Sequence, residues 1–546
     1  MCYHILMVKK QLKQDLKKAV ESLGYQSGDI VVSISPNVLF GDYTANIALQ
    51  LAKQKDGGGK QSPLEIAKEI LQKFDHPDYL EKAEVAGPGF INFFIKPEIT
   101  SQQVKEILEE GENFGKNENG KGKKIQVEFI SANPTGPLTL ANGRGGALGD
   151  TLANVLSFSG YEVEREYYVN DTGNQIRLLG ESVLAAEGKI EKKEEYYQGE
   201  YIKELASEFS DKLNLEPQQL GHLLADYLLE KEIKPAINRM DVHFDQFYSE
   251  RSVYHRGLID QVKIQLKARS LAYEKDGALW FKSSQFGDEK DRVLLTSEEG
   301  RGKTEPTYFL ADIAHHLDDL EKGYIKRINI LGADHHDYAK RIEWAMEALG
   351  FKDKIEIILM QMVRLFKEGQ EVRMSKRAGT FVTLDELLDL VGKDVARFFF
   401  LMYSPDSQID FNLDLARKQS HKNPVFYVQY AHARMSNILA KAGDSREKEE
   451  PGDYSLLKQP SETALISHLV AFPDLVQETT QSYQVHKFTS YTTALADFFH
   501  KFYENCQVLG AQPPRLEQAR LGLVKAAKIT LANSLNLMGV SAPERM

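Results

Sequence analysis

Two segments carry the residue types that chemistry at a nucleotide phosphate needs. SANPTGPLTLANGRGGALGD, residues 131–150, follows an alternating apolar run and leads through a Pro and Gly turn into a run of small residues. That order predicts a strand, a loop and a helix whose N-terminal N–H groups point at an anion. VRMSKRAGTF, residues 372–381, sets Arg373, Lys376 and Arg377 on a short segment with a glycine just beyond. A cationic loop of this kind suits a polyphosphate that gathers charge during transfer. Neither segment is a Walker loop or a dinucleotide fingerprint.

The two segments resemble the paired HxGH and KMSKS signatures of class I aminoacyl-tRNA synthetases, and the surrounding text is similar to the arginyl-tRNA synthetase family. The blocks that carry the likeness are FGDYTANIA (residues 40–48), AGPGFINF (86–93), EFISANPTGP (128–137), YYVNDTGNQI (167–176), GADHHDYAKR (332–341), NPVFYVQYAHAR (423–434) and the terminal GVSAPERM. The resemblance implies ATP-dependent attachment of L-arginine to tRNA(Arg) through an arginyl-adenylate, with Mg²⁺ arriving on ATP and no tightly bound metal or organic cofactor. Members of the family generally need tRNA present even to activate the amino acid.

Carried over position by position, Lys376 matches the second lysine of KMSKS and is expected to hold the leaving phosphates, with Met374 and Ser375 beside it. Arg373 stands where the signature begins with lysine, keeping the charge with a different geometry. HxGH becomes Thr139, Leu140, Ala141 and Asn142. The Thr hydroxyl and the Asn amide keep hydrogen-bond donation to phosphate in neutral form, without an imidazolium. Thr139, Asn142 and Lys376 are therefore the expected catalytic residues, and Ala141, Gly143 and His336 complete the ATP set. Ala141 adds a methyl where close approach of backbone to a nucleotide base tolerates little bulk.

For arginine, Asp312 is expected on the guanidinium, with Tyr308 one helical turn earlier on the same face. Glu128, Ser131 and Asn133 suit the α-amino and carboxylate end, and His335 aligns with a further substrate contact. Asp312 as a helix cap and Lys376 as a solvated loop lysine are the plainer alternatives. Tyr427, Tyr430, His432 and Arg434 are expected to stack on or bond to unpaired tRNA bases; an aromatic stripe packed into a core is the alternative. His315 and His316 read as packing and surface residues, since no HExxH or cysteine partner completes a metal set.

The elements that must position these residues follow from length and periodicity. A chain of 546 residues is too long for one core. Strands are expected at 125–130, 161–169, 325–331 and 355–360, with helices at 145–158, 309–321 and 338–349. This is the βαβ order of an open parallel sheet, which binds ligands at the carboxyl ends of its strands. The fold class is α/β: a Rossmann-like parallel-sheet catalytic domain at 120–410, an N-terminal α+β domain at 1–110 that contacts tRNA, and a C-terminal all-α helical bundle at 411–546 that binds the anticodon. An inserted subdomain is expected at about 180–303, with an Asp276-Gly277 turn between short strands. Within the N-terminal domain the pattern predicts a helix over 42–53 with Asp42 as its N-cap. Residues 111–124 read as a polar linker, and 443–453 as a mobile loop.

Two cysteines, Cys2 and Cys506, cannot build a disulfide framework. The first apolar run, residues 5–8, is too short for a signal segment. A cytoplasmic monomer is the expectation. A net charge of −11 does not itself point to RNA, and tRNA enters through the resemblance. A synthetase-like RNA-binding or regulatory protein with impaired chemistry would fit the lost HxGH histidines. An ATP-dependent ligase acting on a small molecule would have no use for the long helical C-terminal block.

Overall fold

The computed structural model describes residues 5–26, 28, 30–35, 40–54, 61–297, 304–372, 382–443 and 452–546. Strands β1 (Val32–Ile34), β2 (Tyr43–Ala45), β3 (Leu80–Ala86) and β4 (Phe90–Ile95) form an antiparallel sheet in the order β1-β2-β4-β3. Helices Ile5–Ser22, Ile47–Gln54 and Pro63–Lys73 pack on it through Leu12, Leu16, Ala48, Ile66 and Ile70, giving this end of the chain its own core.

The helix expected over 42–53 begins later. Tyr43 and Ala45 point inward and pair with Phe93 and Ile91 of β4, so this stretch is first a strand. Asp42 consequently caps no helix. Its Oδ2 accepts the Ile95 N–H at 2.8 Å and its Oδ1 accepts the Ser467 hydroxyl at 3.0 Å, tying the N-terminal sheet to the C-terminal helices. Burial raises the Asp42 pKa above its ordinary value despite both donors. Residues 111–124 are anchored rather than free: Phe114 is buried, and the Gly111 and Phe114 carbonyls accept from Asn533 Nδ2 at 3.0 and 3.2 Å. Lysines and glycines around one aromatic residue hide that anchor from a composition-based reading.

The middle of the chain supplies β5 (Lys124–Glu128), β6 (Glu162–Val169), β7 (Gln246–Ser249), β8 (Ala272–Lys275), β9 (Ala278–Phe281), β10 (Arg292–Leu295), β11 (Lys326–Gly332) and β12 (Ile355–Met360). Five of them form a parallel sheet in the order β12-β11-β5-β6-β7. The four expected strands are present, and β7 joins them as an edge strand from within the stretch read as an insertion. Helices Leu140–Phe158, Tyr308–Glu321 and His336–Ala348 alternate with the strands as expected. Strands β8 to β10 make a separate antiparallel sheet, with Asp276 and Gly277 both at positive φ in the tight β8–β9 turn.

Helices Gly173–Ala186, Glu200–Glu208 and Pro217–Leu228 form a satellite unit around Ile176, Leu179, Leu220 and Leu224. The first and third cross at backbone contact: a Cβ on Gly180 would overlap the Pro217 carbonyl, and one on Gly221 the Ile176 carbonyl. Neither neighbour can yield, because both are main chain. Gly221→Ala should therefore destabilise this unit by ~1–3 kcal/mol, the usual cost of overpacking. Faster amide exchange confined to residues 173–228 would register it, and unchanged exchange would contradict the close crossing.

Strands β13 (Val363–Lys367), β14 (Gln370–Val372) and β15 (Ile409–Asn412) form a small sheet in the order β14-β13-β15. Helix Leu384–Leu401 then leads toward the C-terminal helices Pro424–Ala442, Pro460–Leu469, Phe472–Ser482, Lys487–Asn505 and Pro514–Leu537. It is broken at Gly392, where φ is 76° and ψ 166°. On its second half the buried Arg397 donates from Nε to the Met538 carbonyl (2.7 Å), from Nη1 to the Met240 carbonyl (3.0 Å) and from Nη2 to Asp150 (2.5 Å). One apolar core runs from the parallel sheet into the C-terminal helices, from Val127 and Phe400 to Leu523 and Leu531. The loop expected at 443–453 falls mostly outside the described residues. Among those described, no helix is long and apolar enough to cross a membrane.

Candidate active site

A cleft of about 880 Å³ opens at the carboxyl ends of the parallel strands. Glu128, Ser131, Asn133, Thr139, Ala141, Asn142, Tyr308, Asp312 and His335 all line it. Nine of the residues expected at a site, separated by up to about two hundred positions, thus share one wall. The chain leaves β5 through Ile130 and Ser131, both at positive φ (67° and 39°). A β-branched residue there is strained, as happens where a site fixes the backbone. Ser131 Oγ donates to Glu128 at 2.9 Å and accepts the Tyr168 N–H at 3.1 Å, which locks the turn.

Thr139 is the N-cap of helix Leu140–Phe158, paired with Asn142 in a capping box. Asn142 Oδ1 accepts the Thr139 N–H at 2.9 Å and the Thr139 hydroxyl at 2.8 Å. Because the oxygen takes the cap, Nδ2 is the end of that amide that remains to donate into the cleft. Thr139 also forms a β-bridge with Thr383, and the Leu384 N–H donates to the Leu138 carbonyl at 2.8 Å. Val372 of β14 and Thr383 beside the first signature are described residues that flank Arg373, Met374, Ser375 and Lys376 in sequence. Those four residues lie outside the described residues.

Two of the ATP-set residues are placed away from the cleft wall. Gly143 faces Leu384 and Phe400, where a Cβ would sit 2.6 Å from one and 3.0 Å from the other. His336 is exposed at the start of its helix, with Nδ1 3.4 Å from Asp337. Tyr308 is 55 % exposed at the cleft mouth, with its hydroxyl accepting the Asn174 N–H at 3.4 Å.

Beyond Tyr308 the cleft turns acidic. Asp312 is half-buried, and burial lifts its pKa to about 6 even though the Tyr338 hydroxyl donates to Oδ2. Glu250, at the end of β7, is 1 % exposed and faces the same space. Burial first, and then the Asp312 charge, push it up to about 7. Two carboxylates with raised pKa values in one cleft suit a bound cation, which favours their ionised forms. Neither Glu250 nor Tyr338 is singled out by the sequence. Glu250 reaches the cleft only through the four-residue β7, and Tyr338 sits among the more conspicuous histidines of GADHHDYAKR.

Behind this wall lies an ionic network. Arg327 is fully buried and donates to Glu128 (2.7 Å), Glu166 (2.6 Å) and Asp319, while His315 contacts Glu166 at 2.8 Å and Asp319 at 3.1 Å. Burial and Arg327 oppose a charge on His315, but Glu166 and Asp319 outweigh them and raise it to about 9. Glu128, Glu166 and His315 bring ligand-type atoms together, and the Arg327 guanidinium already supplies their cation. His316 is buried too, not at the surface: burial, Arg327 and His315 hold it neutral.

The candidate RNA contacts lie on helix Pro424–Ala442. Tyr427 donates to Asp497 at 2.6 Å, and the His500 ring stands 5.2 Å from Tyr427 and 6.2 Å from Tyr430. Tyr430 is half exposed, and the Arg434 guanidinium lies 4.5 Å over the Tyr503 ring. His432 packs inside, its Nδ1 2.8 Å from the Pro543 carbonyl.

Comparison with known proteins agrees with this layout. The family model "tRNA synthetases class I (R), catalytic domain" matches residues 103–398, so the sheet and its cleft are those of a class I aminoacyl-tRNA synthetase, an enzyme. The "Arginyl tRNA synthetase N terminal domain" matches residues 7–95 and the "DALR anticodon binding domain" residues 428–546. The chain belongs to the arginyl-tRNA synthetase family. It is 40% identical to the arginine–tRNA ligase of Carboxydothermus hydrogenoformans, covering 100% of both chains. It is 41% identical to that of Bacillus subtilis, covering 99% of each. Among solved structures, Thermus thermophilus arginyl-tRNA synthetase shares the fold with a TM-score of 0.81 at 24% identity, over 99% of this chain and 100% of that one.

Proposed function

We propose that the chain joins L-arginine to tRNA(Arg) in the cytoplasm, first forming arginyl-adenylate and pyrophosphate from ATP, then passing the arginyl group to the terminal ribose and releasing AMP. The observation that carries the arginine assignment is the carboxylate pair in the cleft, half-buried Asp312 and buried Glu250. A guanidinium offers five fixed donors to such carboxylates and stays charged at any relevant pH. Tyr308, one turn from Asp312, can close over its planar face.

Glu128, Ser131 and Asn133 then meet the amino-acid head near the strained end of β5. Its carboxylate is brought toward the capped helix, where Thr139 and Asn142 face the nucleotide. Ala141 lines the base side, and Lys376, with Met374 and Ser375, draws charge from the departing phosphates. Mg²⁺, which class I synthetases use with ATP in general, neutralises phosphate charge and travels with the nucleotide. Tyr430 and Arg434 offer stacking surface to unpaired bases, while Tyr427 is already tied to Asp497.

Charging of arginine tRNA with labelled arginine and ATP tests the reading, with tRNA present throughout. Native chain should charge, and Lys376→Ala should lose about 10²-fold or more, the usual cost of removing one transition-state donor. Tight tRNA binding without any charging by the native chain would sink the proposal in favour of a non-catalytic RNA-binding protein.

A further inference from the structure

Asp312 meets only one hydroxyl donor among its described hydrogen-bond partners, and that donor comes from a different element. Tyr338 lies on helix His336–Ala348, two residues after the exposed His336, and its hydroxyl donates to Asp312 Oδ2. Its ring also lines the cleft, 6.3 Å from the rings of both His335 and Phe309. We infer that Tyr338 is a positioning residue for arginine recognition: its hydroxyl fixes one oxygen of Asp312 so that the other faces the substrate guanidinium. The inference rests on the arginine reading of the cleft and adds to it a residue that touches the carboxylate from the nucleotide-side helix.

The chemistry favours this role over plain packing. A phenol half-buried against a carboxylate stabilises it by donating, and Tyr338 stays protonated because burial and Asp312 both push its pKa well above the ordinary value. The charged and titratable groups around Asp312 come from every neighbouring element. His315 shares its helix, Glu128 and Arg327 come from β5 and β11, Tyr168 from β6, and Glu250 and Tyr254 from the segment after β7. None of them donates a hydrogen bond to Asp312 in the structure, whereas Tyr338 does. Removing that donor leaves burial less opposed, so Asp312 ionises at higher pH and grips a cation more weakly near neutrality.

The test is the arginine dependence of tRNA charging by the full chain, from about pH 6 to 8.5, for the native enzyme, Tyr338→Phe and Asp312→Asn. Tyr338→Phe should raise the arginine KM about tenfold near neutral pH, move the midpoint of the KM profile upward, and recover toward native KM at the alkaline end. Its kcat at saturating arginine and its KM for ATP should stay close to native. A structural defect would show no alkaline recovery, and an unmoved midpoint overturns the inference. If Asp312→Asn raises the arginine KM while Tyr338→Phe does not, the positioning role alone falls. If Asp312→Asn changes nothing, the arginine reading of Asp312 falls, and the inference with it. Thermal unfolding of each variant checks its fold, and Tyr338→Trp, which removes the hydroxyl while filling the space, should repeat the midpoint shift.

Discussion

Arg327→Met should lower stability by about 3–5 kcal/mol, because it strands three buried carboxylates around an uncharged side chain. Glu128, Glu166 and Asp319 all accept from this one guanidinium, with His315 and Lys322 as further partners of Glu166 and Asp319. Urea unfolding followed by tryptophan and tyrosine fluorescence would show it; a midpoint equal to native would mean the network is not a stabilising unit. The network also sets a pH window. Asp319 is held far below the usual carboxylate range: burial opposes this, but Arg327 and His315 outweigh it. Its contribution is present above the ordinary value of 3.8 and is lost as pH falls through its folded value. His315, raised from 6.5 to about 9, contributes fully below 6.5 and loses that contribution as pH rises through about 9. In native protein the pairing is therefore complete between the two ordinary values and weakens on the alkaline side, and Arg327→Met should flatten the acid limb.

The arginine KM of the native chain should fall roughly tenfold between about pH 6 and 8, since a cation must find Asp312 and Glu250 ionised. With folded values of about 6 and about 7, both still hold protons at the acid end. Raised carboxyl pKa values also mean that the empty site costs stability as pH climbs from the ordinary values of 3.8 and 4.5 through about 6 and about 7, and bound arginine offsets that cost. Arginine should thus raise the melting temperature more at pH 8 than at pH 6. Glu250→Gln should raise the arginine KM by about 2–5 kcal/mol in free-energy terms, on the order of 30-fold or more, and flatten the pH slope. Equal KM values across that pH range for the native chain would remove the carboxylate pair from substrate binding.

The central strands are legible in the sequence because apolar residues recur at or near alternate positions along them, as at Ile125, Val127 and Phe129. The C-terminal helices are legible because apolar and aromatic residues recur at helical spacing, as through residues 423–441. Short strands escape. Three residues at Tyr43–Ala45 and four at Gln246–Ser249 are too few to show alternation, and tertiary pairing decides them. The hidden β7 is also why Glu250 stays hidden, as its place beside Asp312 depends on that strand. Asp42 shows the same limit in reverse: a residue type favoured at helix starts is used instead to hold two distant units together. The Thr139 and Asn142 pair could be read as a cap from spacing alone, but its bridge to Thr383 could not.

The break at Gly392 gives the two pieces of helix Leu384–Leu401 a joint made of one residue. Ahead of it, Thr383 and Leu384 meet Thr139 and Leu138; behind it, Arg397 clamps the chain to the carbonyls of Met538 and Met240. An unbroken helix would carry any tilt at the Met538 end straight to the signature loop. A backbone at φ 76° and ψ 166°, a region open essentially to glycine, interrupts the ladder, so the two pieces are coupled by torsion at a single position rather than by a rigid rod.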